Sequence, residues 1–185
     1  MSDFIHWLVP AAIAPAAIAA SIVAQHCYAA QYLTLEQAQA AIFPEAREFT
    51  AATVQLSRDQ ARRIEQLGGT QVRVAEQRVW EARSEGRLLG WFIVDEVYGK
   101  HELITYAVGL NADGRVRQIE VMDYRETYGY EIRNPAWRRQ FVGKGQGDAL
   151  ELDKDIRNIS GATLSCRHVT AGVRRLLALH EVALR

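Results

Sequence analysis

Between Arg78 and Met122 the sequence passes through strand-like runs joined by short polar turns, with no helical stretch between them. Arg78 to Arg83 and Leu88 to Val97 flank Ser84-Glu85-Gly86-Arg87, a hairpin signal. Leu103 to Leu110 and Val116 to Met122 flank Asn111-Ala112-Asp113-Gly114, a stronger one. Parallel neighbours need a long crossover, usually a helix, so three or four antiparallel strands are expected here. A doubly wound parallel sheet is excluded, and a dinucleotide site of the Rossmann kind goes with it.

Helices are expected on either side of this block. Thr34-Leu35-Glu36-Gln37 and Ser57-Arg58-Asp59-Gln60 both have the capping-box pattern. The first helix should stop before Pro44 and the second should close at Gly68-Gly69. A last helix is expected from about Gly161 to Leu184, with Val169, Val173, Leu176, Leu177 and His180 on one face. The fold class is therefore α+β: an antiparallel sheet with flanking helices, preceded by an N-terminal hydrophobic segment.

That segment stands apart in charge. From Met1 to Leu35 the only charged side chain is Asp3, and 17 of the 21 residues from Phe4 to Ala24 are apolar. About 20 helical residues cross a bilayer core. Small residues in Cys27-Tyr28-Ala29-Ala30 suit signal-peptidase cleavage, whereas the n-region has no Lys or Arg. Residues 1–30 are read as a signal peptide or a single membrane anchor, and 31–185 as one folded domain. Either reading delivers the domain outside the cytoplasm, to a bacterial periplasm or the outer face of the cytoplasmic membrane.

Composition removes several function classes. The 22 Lys+Arg balance 22 Asp+Glu, which argues against a nucleic-acid binder. Two cysteines build neither a disulfide scaffold nor a Cys₄ metal site, and no metal motif is present. Gly143-Lys144-Gly145-Gln146-Gly147 is glycine-rich but lacks the Ser/Thr and spacing of a phosphate-binding loop. Cys166 and His168 are two residues apart and would point away from each other on a helix.

The most informative run is Ile159-Ser160-Gly161-Ala162-Thr163-Leu164-Ser165. It reads as a loop entering a helix, where small residues allow close approach and free amides suit an anion such as phosphate. Ser160, Thr163 and Ser165 add hydroxyls, and Thr163 is placed to be esterified. Local physics also allows a plain Ser N-cap before an ordinary helix. Tyr124, Tyr128, Tyr130 and Trp137 offer aromatic faces nearby, and Arg125, Arg133, Arg138, Arg139 and Lys144 offer positive charge.

Ser160-Gly161-Ala162-Thr163 resembles the attachment motif of the FMN-binding domain family, found in the G subunit of Rnf complexes and the C subunit of sodium-translocating NADH:quinone reductases. A given tetrapeptide turns up by chance in under roughly 1% of chains this long. Glu126-Thr127-Tyr128-Gly129-Tyr130 resembles the family's E-T-P-G-L-G loop, and Trp137 with Gln140-Phe141-Val142-Gly143-Lys144 resembles the segment after it. The resemblance covers roughly Ala75 to Leu179. Tyr128 stands at the family's proline, and Arg157 stands where the family usually has Asp.

The resemblance implies FMN as the cofactor, joined through its phosphate to Thr163 by a flavin transferase. Ser160, Gly161, Ala162, Leu164 and Ser165 would hold the phosphate end. Glu126, Thr127, Tyr128 and Gly129 would line the ring. It also implies an electron carrier serving membrane redox partners rather than a stand-alone enzyme. The alternative is a binding or sensory module of the same fold that holds flavin without a covalent bond.

Overall fold

A computed structural model describes residues 30–72 and 76–185. The N-terminal segment expected to be a signal or an anchor, with Cys27, thus lies outside the described residues apart from Ala30.

Five long strands form the body of an antiparallel sheet: β2 (Glu48–Gln55), β3 (Glu76–Ser84), β4 (Arg87–Tyr98), β5 (Leu103–Asn111) and β6 (Val116–Tyr124). They follow one another as a meander, and the two-residue strand β1 (Ala30–Gln31) adds to the free edge of β6. The expected block of three or four strands is β3 to β6. β2 was not foreseen: Glu48-Phe-Thr-Ala-Ala-Thr-Val-Gln55 has little apolar contrast, and its register on β3, from Glu48 opposite Arg83 to Gln55 opposite Glu76, stabilises it.

Both hairpin turns use the left-handed backbone their residues allow. Glu85 and Gly86 have φ of 52° and 76°, matching the twist of β3 and β4. Gly114 has φ of 82° after β5.

Helices cover both faces of the sheet. α1 (Leu35–Ile42) and α2 (Arg58–Gly68) begin with the expected reciprocal capping boxes, Thr34 with Gln37 and Ser57 with Gln60. α2 ends at Gly69, whose φ of 68° provides the left-handed cap. α1 packs Ala38, Ile42 and Phe43 on Phe92, Val94, Ala107 and Met122. The long helix α4 (Thr163–Leu179) packs on the other face, where Val169, Val173, Leu176 and Leu177 meet Ile93, Ile104, Tyr106 and Val108. Strand alternation thus feeds two cores, which explains the unbroken apolar runs in β4 and β5. α4 was expected to continue to Leu184; its last turn, His180–Leu184, instead widens to a π-helix. His180 is buried there, and its Nε2 has no hydrogen-bond partner among the described residues.

The packing of α4 depends on two glycines, one against α2 and one against the sheet. Gly68 brings α2 onto the backbone of α4: a Cβ there would sit 2.9 Å from Arg175 Cα. At Gly172 a Cβ would clash with the Tyr106 hydroxyl. Gly172→Ala should therefore push α4 off the sheet and cost roughly 1–3 kcal/mol of stability, as overpacking does. Urea unfolding of the variant checks this, and an unchanged midpoint would show that the helix can slide without loss.

Candidate functional site

The segment from Tyr124 to the start of α4 is irregular, yet several polar anchors hold it in place. Trp137, in the short helix α3 (Pro135–Arg138), is buried edge-on against Phe141 with centroids 5.0 Å apart. Its Nε1 donates to the Arg157 carbonyl at 2.8 Å, and the Arg157 amide donates to Gln140 Oε1 at 2.8 Å. The residues matching the family's second segment thus clasp the irregular stretch leading into Ser160-Gly161-Ala162-Thr163. Asn158 Nδ2 then donates to Thr163 Oγ1 at 3.1 Å.

The two expected motifs meet in space. Gly129 has φ of 92°, and a Cβ on it would lie 2.5 Å from Tyr124 Oη, 3.2 Å from Ser165 Oγ and 3.5 Å from Ala162 Cα. Tyr124 Oη donates to the Tyr128 carbonyl at 2.5 Å and lies 3.1 Å from Ser165 Oγ. One buried tyrosine therefore ties the loop to the first turn of α4. Burial raises the Tyr124 pKa, so the phenol stays protonated as a donor. Gly129→Ala should cost about 1–2 kcal/mol for the left-handed backbone alone. A thermal melt measures that loss, and a variant as stable as the wild type would show that the loop does not need the close approach.

The expected site residues fall into distinct environments. Thr163, the first residue of α4, is half-buried, and Ala162 provides no side-chain cap. Ser160 and Gly161 are exposed, whereas Ala162 and Ser165 are buried. Tyr128 and Tyr130 are 81% and 57% exposed, and Leu164 is 37% exposed, so these present open apolar surface beside the motif. Thr127 is exposed too. Tyr124, expected to offer a ring face, is instead buried and holds the loop, and Trp137 is a core residue.

Glu126 reaches across to a neighbouring turn. It accepts from the amides of His101 at 2.5 Å and Glu102 at 3.0 Å, closing the turn between β4 and β5. Burial acts to raise its pKa, but these amides outweigh it and hold the carboxyl below the ordinary value.

Most of the cations expected near a phosphate are committed elsewhere. Arg125 pairs with Asp123, Arg138 with Glu120, and Arg133 stacks 3.4 Å above the Tyr32 ring. Lys144 pairs with Asp155 at 2.9 Å. Asp155 also accepts from the amides of Leu150 and Glu151; together these donors outweigh burial and keep its carboxyl below the ordinary range. Two arginines that sequence reasoning passed over, Arg167 and Arg174, line a groove of about 320 Å³ with Thr163, Thr170 and the 150–153 loop. The signal was available: Thr163 and Arg167 are four apart on one helix.

Cys166 is fully buried and its thiol pKa is pushed up by burial, so it is an inert packing residue. Among the described residues no group of His, Cys, Asp and Glu is arranged to hold a metal ion.

The donor chemistry fits a flavin phosphate. A helix start without a side-chain cap, a half-buried threonine and a guanidinium one turn away suit the phosphoryl end. Exposed Tyr128, Tyr130 and Leu164 suit a flat ring.

An α+β sheet domain with an anion-suited helix start facing a glycine loop defines a class of cofactor-binding module. Residues 99–178 match the family model of the FMN-binding domain, which indicates FMN as the cofactor. The chain is 25% identical over 113 residues to the G subunit of the Na(+)-translocating ferredoxin:NAD(+) oxidoreductase complex of Acetobacterium woodii, covering 56% of this chain and 55% of that one. It thus spans about half the length of this curated relative. The fold is shared with the C subunit of the Na(+)-translocating NADH-quinone reductase of Parabacteroides distasonis, with a TM-score of 0.53 and 15% identity over 80% of this chain and 83% of that one. NqrC of Shewanella oneidensis aligns with a TM-score of 0.47 and 18% identity, over 72% of this chain and 66% of that one.

Proposed function

We propose that this protein is an extracytoplasmic electron carrier whose FMN is esterified through its phosphate to Thr163, working in a membrane-associated redox chain. The supporting observation is the seam between Gly129 and the first turn of α4, which brings the two motifs together at the helix start that Thr163 opens with a half-buried side chain. The relative from Acetobacterium woodii belongs to a redox complex, which fits a carrier passing electrons between membrane partners. A flavin transferase would install the cofactor from a flavin dinucleotide: Thr163 Oγ1 would bond to the flavin phosphorus, the phosphoanhydride bond would break, and the nucleoside monophosphate would leave as the hydroxyl proton passes to solvent. The apolar segment at 4–24 would deliver or tether the domain.

FMN bound there supplies the electron transfer itself. The chain's own residues do the rest. Asn158 holds Thr163 Oγ1 as an acceptor, which leaves the hydroxyl proton free to depart when the oxygen forms an ester. Ser165 is committed to Tyr124 and buried, so it positions the loop. Tyr128 and Tyr130 present the exposed apolar surface on which a ring can lie. Covalent attachment suits a compartment with no pool of free FMN to replace a lost cofactor.

The test is flavin fluorescence in a denaturing gel, after secretion of the full chain in a bacterial host together with a flavin transferase. A fluorescent band is expected. Folded, transferase-exposed protein with a dark band and flavin in the supernatant would favour the non-covalent module.

A further inference from the structure

We propose that Arg167 is the residue that recognises the flavin phosphate, a specificity determinant in the groove beside α4. The assignment rests on the FMN reading above and adds the group that distinguishes a phosphorylated flavin from an unphosphorylated one.

The groove has a built wall. Asp155 gathers Lys144 Nζ at 2.9 Å, Leu150 N at 3.1 Å and Glu151 N at 2.9 Å, which fixes the 150–155 loop opposite the helix. Leu150 and Asp153 hold φ of 44° and 63°, so the loop turns tightly there. Facing it along α4 are Thr163, Arg167, Thr170, Ala171 and Arg174, one stripe of the helix.

The polar groups in this groove differ in how far they are already committed. Thr170 Oγ1 donates to the Cys166 carbonyl at 2.7 Å. Arg174 Nε donates to the Gly68 carbonyl at 2.8 Å, joining α4 to the end of α2. Glu151 is paired with Lys154 at 2.5 Å, and Asp153 is exposed on the far wall. Arg167 is exposed and makes no hydrogen bond or ion pair among the described residues.

Distance selects the same residue. Four helical residues rise about 6 Å, within reach of a guanidinium folding back toward the helix start, whereas Arg174 lies about 16 Å along the axis. Arginine side chains on a helix lean toward its N-terminus, here toward Thr163. A guanidinium presents paired donors that match two phosphoryl oxygens.

The experiment compares FMN with riboflavin, which lacks only the phosphate. Binding is read by flavin fluorescence quenching on the full chain carrying Thr163→Val, with and without Arg167→Gln. Initial rates of covalent loading are read on chains that keep Thr163. The expected result is an FMN preference of about tenfold, the size of a charged hydrogen bond, that collapses with Arg167→Gln while riboflavin affinity stays put. Arg167→Lys, which keeps the charge but not the fork, should recover part of it. If the wild type loads but neither the FMN preference nor the loading rate responds to Arg167→Gln, the assignment is overturned and the FMN reading stands. If the wild type neither loads nor binds flavin, the FMN reading falls and takes the assignment with it.

Discussion

Thr163→Ala is expected to give a folded, secreted chain with no flavin fluorescence in a denaturing gel, while Thr163→Ser keeps a visible band. Three hydroxyls lie within six residues, and their surroundings select one. Ser165 is buried and bonded to Tyr124, so an ester there would break the seam that positions the loop. Ser160 is exposed and precedes Gly161, whose φ of 86° turns the chain before the helix. Thr163 is half-buried in the first turn, at the uncapped positive end of α4, where negative charge is stabilised. Its oxygen already accepts from Asn158, so the alanine variant removes the acceptor without opening a core cavity. The melting temperature should move little, which separates loss of attachment from loss of fold. A Thr163→Ala band as bright as the wild type would place the bond on another hydroxyl, and Ser160→Ala would be the next variant to read.

Local rules are enough to foresee the capping boxes, the two hairpins and the burial of the α4 face, because each depends on residues close in sequence. The edge strand β2 escapes them because its stability comes from pairing along β3, which no local pattern in Glu48–Gln55 reveals. The site is legible as two motifs but not as one surface. That Gly129 touches Ala162 and Ser165 depends on Tyr124, which the sequence offers equally well as a ring platform. The cations are misassigned for a similar reason. Arg125, Arg138 and Lys144 read as free charge until Asp123, Glu120 and Asp155 are placed beside them. Arg167 is legible as the arginine one turn after Thr163, but that Arg174 is committed to the Gly68 carbonyl depends on α2, which the local sequence does not place.

The largest stability effect is expected at the other end of α4. Arg175 Nη2 meets Asp95 Oδ2 at 2.6 Å, with side-chain exposures of 9% and 4%, and Tyr106 donates to the same carboxylate oxygen. Burial pulls the Arg175 pKa down, yet Asp95 and Tyr106 outweigh it and hold the guanidinium charged. Tyr106, fully buried beside that carboxylate, has its own pKa pushed well above the ordinary value and remains a donor. Arg175→Met would leave the Asp95 carboxylate buried with one neutral donor. Breaking a buried pair this way costs about 3–5 kcal/mol, a large part of the 5–15 kcal/mol that holds a typical domain together. Asp95→Asn added to Arg175→Met should recover much of the loss, since an amide needs no counter-charge. The opposing term is water. Cavities of about 260 and 130 Å³ both touch Arg175, and solvent entering through them would screen an orphaned carboxylate. Urea unfolding decides between the two: a loss of at least about 3 kcal/mol, rescued in the double variant, means the pair is dry and holds α4 to β4. A loss under about 1 kcal/mol, the size of a surface pair, would mean that water reaches Asp95 and that packing around Gly172 holds the helix instead.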